Sequence, residues 1–218
     1  MVNALRAHVP CGTVRRVTES PVYRPDEAKD PRAAEVLSYW FGARDDYGKR
    51  RKCWFEKDDA FDAEVRRCFL TLHEDAARGA LAAWQVDASD CLALIVVLDQ
   101  FPRNIYRGAA LAFATDAQAL TVAQYALANR YDRGLLPVER MFAYLPFEHS
   151  ESLEHQLAAC ELIEPLTAFE STKDAHRYAI RHCDIIRRFG RFPHRNASLG
   201  RASSADELEF LKEPGSGF

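Results

Sequence analysis

Eight consecutive apolar residues, Cys91 to Leu98, run without a break into Asp99 and Gln100. A segment that is apolar on every side offers water no face, so it belongs at the centre of whatever this chain forms. Periodicity alone admits a buried strand. The amphipathic segments on either side, and the direct run into a polar stretch, predict a central helix instead. The chain has 218 residues, against roughly 100–200 for a typical domain. One domain over 31–218 is expected, preceded by an extension over about 1–30. That extension carries Pro10, Pro21 and Pro25 and no periodicity. It reads as poorly ordered or draped over the domain.

Helical signals follow one another along the rest of the chain. Pro31 suits the first turn of a helix with Ala34, Val36, Leu37, Trp40 and Phe41 on one face and Gly42 as its stop. The charged stretch around Lys49-Arg50-Arg51-Lys52 reads as a solvated loop, anchored by Trp54 and Phe55. Asp58 or Asp59 caps a helix over about 59–78, with Phe61, Val65, Phe69 and Leu72 inward. Ser89 is the expected cap of the central helix. Thr115-Asp116 starts another. Pro137 opens the next, which Pro146 should kink or end. Ser150 can cap a helix over 151–165 carrying Leu153, Leu157, Cys160 and Leu162, and a long helix follows from about Ser171 to Phe189. Ser204-Ala205-Asp206-Glu207 is a capping box for the last. These signals predict an all-α fold of about seven to nine helices in antiparallel pairs, a bundle or stack, with no convincing strand pair. The roughly 34-residue tetratricopeptide repeat is not legible in the residues themselves.

Charge and cysteine usage narrow the function classes. The net charge of −3 gives no global reason to expect nucleic acid or an anionic membrane surface. No stretch approaches the roughly 20 apolar residues of a membrane span. Six cysteines stand far apart, and Cys68, Cys91, Cys160 and Cys183 fall within helical patterns, where small reduced core residues are the rule. A reducing, cytoplasmic setting is expected.

Three polar stretches interrupt the helices, and together they form the candidate site. Asp99-Gln100-Phe101-Pro102-Arg103-Asn104 follows the apolar run, with Arg107 one turn beyond Arg103. Arg103 and Arg107 could clamp an anion; an internal Asp–Arg brace explains the pattern equally well. Glu148-His149-Ser150-Glu151 follows Pro146, and Glu148 and His149 have acid–base chemistry without an evident capping duty. Arg191-Phe192-Pro193-His194-Arg195-Asn196, with Arg201, packs cations, an imidazole and an amide onto a loop stiffened by Pro193. Preorganised donors of this kind suit phosphate or carboxylate. The competing reading is a clasp that ties the last helices down. Asp99, Glu148, His149 and His194 are the candidate catalytic residues. Arg103, Asn104, Arg107, Arg140, Arg191, Arg195, Asn196 and Arg201 are the candidate ligand-binding ones. The spacing of Glu148, His149, Glu151 and His155 is neither HExxH nor the paired ExxH of di-iron bundles, so no metal site is assigned. No dinucleotide, P-loop or nucleophile-elbow motif is present, so no cofactor is implied.

Several of these motifs in one order resemble a known family. Val36 to Gly42, Trp54-Phe55, Leu98 to Asn104 with Arg107-Gly108, Phe113 to Asp116, Arg140-Met141-Phe142, Pro146 to Glu151, Phe189 to Asn196, Leu199-Gly200-Arg201 and Glu213 to Ser216 are similar to the bacterial family known as domain of unknown function 924. The likeness covers about 33–218. It implies an all-helical fold in the tetratricopeptide-like superfamily and no established activity. Two readings follow. In one, a small anionic ligand sits in an Arg/His/carboxylate pocket, with hydrolysis the least strained reaction. In the other, a non-catalytic tetratricopeptide-like scaffold binds a peptide or protein.

Overall fold

A computed structural model of the chain describes residues 23–217, and among these every regular element is helical. The first helix, α1 (Pro31–Phe41), begins where Asp30 accepts from the Arg32 N–H. It ends where Gly42 takes φ 101°, a left-handed value at which a Cβ would also meet the Asp46 carbonyl at 3.0 Å. Helix α2 (Asp59–Ala77) is capped by Asp58, which accepts from two first-turn N–H groups. The loop between them is held from below. Arg51 donates to the carbonyls of Tyr39 and Trp40, and Trp54 Nε1 donates to Trp40 O at 2.9 Å. Trp54 is buried as expected, but Phe55 faces solvent.

The apolar run is the central helix. Helix α3 (Ala88–Ile95) has every residue from Ser89 onward buried. Its cap is Asp87 rather than Ser89: the Asp87 carboxylate accepts from the Ser89 N–H at 2.9 Å, which leaves Ser89 inside the first turn. The helix does not break at Asp99. It passes through one wide π-type turn, Val96–Gln100, directly into α4 (Phe101–Ile105). Pro102 is the reason. It has no N–H to offer the carbonyl four residues back and its ring crowds that carbonyl. That group, Leu98 O, turns instead to the Thr115 hydroxyl at 2.6 Å. The widened turn thus takes Pro102 into a buried helix with its backbone satisfied.

Helix α5 (Asp116–Ala128) packs on α3. Helix α6 (Pro137–Glu148) lies against both. Its Pro137 occupies the first turn, and Glu139 reaches back to the Leu136 N–H at 2.7 Å. Pro146 does not end α6, because only one donor is lost; the His149 N–H still reaches Leu145 O at 2.8 Å. Helix α7 (Leu153–Ile163) starts at Ser152, not Ser150. Its buried face is Gln156, Ala159 and Ile163, while Leu153 and Leu157 point outward, against expectation. Gln156 sets this phase: its Nε2 donates to Glu148 O and Ser150 O, closing the α6–α7 turn. Helix α8 (Ala175–Phe189) begins later than Ser171 and packs on α7. Gly190 ends it in the left-handed region at φ 69°. Helix α9 (Ala205–Phe210) has the full Ser204–Glu207 capping box.

Trp40, Phe41, Trp54, Phe101 and Phe142 interlock at the centre, with Trp54 and Phe142 centroids 4.9 Å apart. A smaller cluster of Ile185, Ile186, Phe192 and Phe210 seats the C-terminal segment. Near the other end, Tyr47 Oη donates to the buried Glu139 at 2.7 Å, and Arg24, also buried, lies 3.6 Å from that carboxylate. No helix among the described residues is long and apolar enough to cross a membrane.

Candidate functional site

The π-type turn between α3 and α4 puts Asp99 out of reach of water. A carboxylate there must be paired. Asp99 Oδ1 lies 2.8 Å from His149 Nδ1, at the end of α6, and Gln100 Nε2 donates to Oδ2 at 2.5 Å. Arg103 Nη2 stands 3.5 Å from Oδ1, and its Nη1 donates to the Asp99 carbonyl. Burial alone would raise the Asp99 pKa. Arg103 and His149 outweigh it and hold the carboxyl below the usual carboxylate range. An ionised Asp99 only accepts, so His149 Nδ1 is the protonated nitrogen and Nε2 is the basic one. Burial first, then Arg103, lower the His149 pKa against the opposing pull of Asp99.

Asp116, at the first position of α5, joins two arginines from different parts of the chain. Arg103 Nη1 lies 3.0 Å from its Oδ1 and Arg195 Nη1 3.1 Å from its Oδ2. Arg195 is buried in the single 3-10 turn Pro193–Arg195, where Pro193 occupies the first position. Its guanidinium stacks over Phe192 at 4.5 Å and Phe113 at 4.8 Å. Burial, then Arg103, push its pKa down to about 10, so it remains a cation at neutral pH.

A second imidazole–carboxylate pair stands beside the first. His182, on the buried face of α8, has Nδ1 2.9 Å from Tyr178 O and 3.0 Å from Glu148 Oε1. A carbonyl can only accept, so here too Nδ1 carries hydrogen. The rings of His149 and His182 are 6.3 Å apart. Phe192 packs against His182 at 5.5 Å and His194 at 5.6 Å. Burial, then Arg195, His182, His149 and Arg103, drive the His194 pKa down to about 3. The cluster reaches solvent through His149, His194, Arg103 and Asp116, with Asp99, Glu148, His182 and Arg195 behind them.

The structure therefore brings Asp99, Arg103, Glu148, His149, His194 and Arg195 together. It commits the other candidates elsewhere. Arg107 and Asn104 both bind Asp62 of α2. They border an open cleft of about 370 Å³ with Lys57, Asp59 and Arg66. Arg140 bonds the Tyr144 hydroxyl, which donates to Asp132. Arg191 forks onto Glu207 and reaches Ala202 O. Arg201 forks onto Glu151 and donates to Asn196 Oδ1, while Asn196 Nδ2 donates to Ser203. Ser150, no longer a cap, bonds His155 at 2.9 Å.

Sequence reasoning missed two members. Asp116 looks like an ordinary first-turn carboxylate, favourable at any helix start. His182 looks like a bland helical histidine. Its only signal is position: with Ala179, Cys183 and Ile186 it lies on the buried face of α8. Among the described residues no group of three or more His, Cys, Asp or Glu is placed to hold a metal ion.

Comparison with known proteins agrees with the fold and assigns no chemistry. The family described as "Bacterial protein of unknown function (DUF924)" matches residues 36–215. A solved structure of a protein of unknown function from Agrobacterium tumefaciens is 38% identical, with a TM-score of 0.76, over 84% of this chain and 98% of that one. No curated protein matches.

Proposed function

The chain belongs to the bacterial family of unknown function DUF924, and on that premise we propose that its buried histidine–arginine–carboxylate cluster binds a small anionic ligand and acts on it by acid–base chemistry, most simply hydrolysis. One observation supports this above the others. Asp99 holds His149 by Nδ1 at 2.8 Å, in the same network as Arg103 and Arg195. An imidazole with Nδ1 anchored on a carboxylate presents Nε2 as a general base, and adjacent guanidinium groups attract and orient negative charge. A fold needing only a brace between α4, α5 and the C-terminal turn has no use for the imidazole.

Thermal shift of the whole chain tests the binding. Inorganic phosphate, p-nitrophenyl phosphate and citrate serve as probes. A ligand at about one hundred times its Kd adds about 2.7 kcal/mol to stability. For a chain of this size that raises Tm by about 5 to 10 °C. Arg195→Gln should lose the shift while folding, whereas Arg201→Gln should lower the baseline Tm and keep the shift. If no probe moves Tm, the reading fails. For the chemistry, release of p-nitrophenol should fall at least about a hundredfold in His149→Asn. An unchanged rate removes His149 as the base.

A further inference from the structure

A side chain at the start of α5 forgoes its local duty. Thr115 stands at the N-cap position, where a hydroxyl ordinarily accepts from an N–H of the first turn, yet its side chain makes no such bond. It is buried, and its hydroxyl donates instead to Leu98 O in the π-type turn, at 2.6 Å. A hydroxyl has one hydrogen, so with that hydrogen committed Thr115 Oγ1 can only accept from elsewhere. His73, buried on α2, places Nε2 3.4 Å from Oγ1. In that contact Nε2 is the donor, which makes Nδ1 the unprotonated nitrogen. Nδ1 is buried and has no hydrogen bond among the described residues, so a second proton there would gain no partner among them. Burial lowers the pKa of the ring in the same sense. Tyr106 meets the ring edge-on at 5.5 Å and fixes its plane.

The Leu98 carbonyl shares one rigid peptide plane with the Asp99 nitrogen, so holding its oxygen holds the plane from which Asp99 springs. Arg103 Nη1 donates to the carbonyl of Asp99 itself. The Asp99 backbone is therefore gripped on both sides, by Thr115 before it and Arg103 after it. Its side chain then meets His149 Nδ1 at 2.8 Å. The residue after Thr115 is Asp116, which receives Arg103 and Arg195. Two consecutive residues thus hold the backbone of the buried carboxylate and the guanidinium groups of the cluster. A turn widened by Pro102 needs such a hold from outside, because Pro102 has no N–H for the carbonyl four residues back.

We infer that Thr115, oriented by His73, is a positioning residue of the cluster: it holds the Leu98–Asp99 peptide so that Asp99 keeps His149 in the tautomer with a basic Nε2. This deepens the acid–base reading above and rests on it. Neither residue touches the reacting atoms; both act through Asp99.

Long-range proton–nitrogen NMR of the whole chain labelled with 15N-histidine tests this, because it reads the tautomer of each ring with or without turnover. His149→Asn and His73→Leu assign the two rings by loss of signal. The wild-type chain should show His149 protonated on Nδ1 and His73 on Nε2. Thr115→Val keeps the shape and removes the hydroxyl; there His149 should become a mixture of tautomers, and kcat for p-nitrophenyl phosphate should fall about tenfold with KM little changed. Thr115→Ser keeps the hydroxyl and should restore both. His73→Leu should move the His149 signals the same way by less. Circular dichroism checks folding. If Thr115→Val does not fold, His73→Leu decides alone. His149 signals unchanged in a folded Thr115→Val overturn the positioning role, even if its Tm drops, since a purely structural threonine would give that result. His73 protonated on Nδ1 overturns its part in orienting Thr115. Wild-type His149 protonated on Nε2 instead removes the acid–base reading itself. A fixed Nδ1 tautomer with no p-nitrophenol released removes only hydrolysis, and the Thr115→Val spectrum still decides the positioning.

Discussion

Two arginine–carboxylate networks lie within a few residues of each other after α8, and they are built to opposite ends. In the outer one no arginine leaves a buried nitrogen without an acceptor among the described residues. Arg191 binds Glu207 through Nε and Nη2, and Arg201 binds Asn196, both oxygens of Glu151 and Phe192 O. No histidine takes part, and the groups tied down are the loop and the start of α9. In the inner one, Arg103 and Arg195 share Asp116, while Arg103 Nη2 and Arg195 Nε are buried without a hydrogen bond among the described residues. The same residue types, alternating along one stretch of chain, form a clasp on one side and the cluster proposed to bind an anion on the other. What separates them is whether a buried donor lacks an acceptor among the described residues. A satisfied fork is rigid and inert; an unsatisfied one, buried, is destabilising until something binds.

The largest effect should come from breaking the inner network at its base. Asp99→Ala leaves Arg103 facing His149 with Asp116 as its only carboxylate among the described residues. Removing one partner of a buried pair costs about 3–5 kcal/mol. That corresponds to a Tm roughly 6 to 20 °C lower, read by calorimetry. A drop of a degree or two would mean that Asp116 alone holds Arg103.

Acid should dissociate the two networks in turn. His194 has its folded pKa lowered from 6.5 to about 3, so the unfolded chain binds the proton first. Stability tied to neutral His194 is present above pH 6.5 and drains away as pH falls towards 3. In the clasp, the hydrogen bond from Arg191 holds Glu207 down from 4.5 to about 2. Its contribution is intact above pH 4.5 and lost as pH falls through about 2. Melting curves against pH should therefore flatten between about 6 and 4 in His194→Gln, while Glu207→Gln changes the profile only below about 4.5. Identical profiles for the two variants would erase the distinction.

The smallest effect belongs to Arg191→Lys. An ammonium keeps the charge but cannot fork onto Glu207. Because Arg191 is partly exposed, the loss should be a small drop in Tm, with anion-induced shifts unchanged. A loss of those shifts would show the clasp and the site to be one unit.

Much of the architecture was legible because it depends on neighbours in sequence. The Cys91–Leu98 run had to be central, since no side of it can face water. Asp58, Gly42, Pro137, Gly190 and the Ser204–Glu207 pair mark ends through bonds that span three or four residues. The errors arose where a distant group decided the outcome. Pro102 looked like a break until Thr115 took over the Leu98 carbonyl. Leu153 and Leu157 looked inward until Gln156 claimed the buried face to reach two carbonyls of the preceding turn.

For the site the division is sharper. Residue type and loop position single out Asp99, Glu148, His149, His194 and Arg195 as candidates, because buried or stiffened polar groups at helix ends are costly without partners. They could not say which arginine would be sealed into the clasp and which left with donors to offer. That choice turns on Asp116, which stands 79 positions before Arg195 and meets it only when α5 is laid beside the turn after α8. Local hydrogen-bonding demand is written along the chain. Whether that demand is met depends on what packing brings within about 3 Å, and only the tertiary structure decides it.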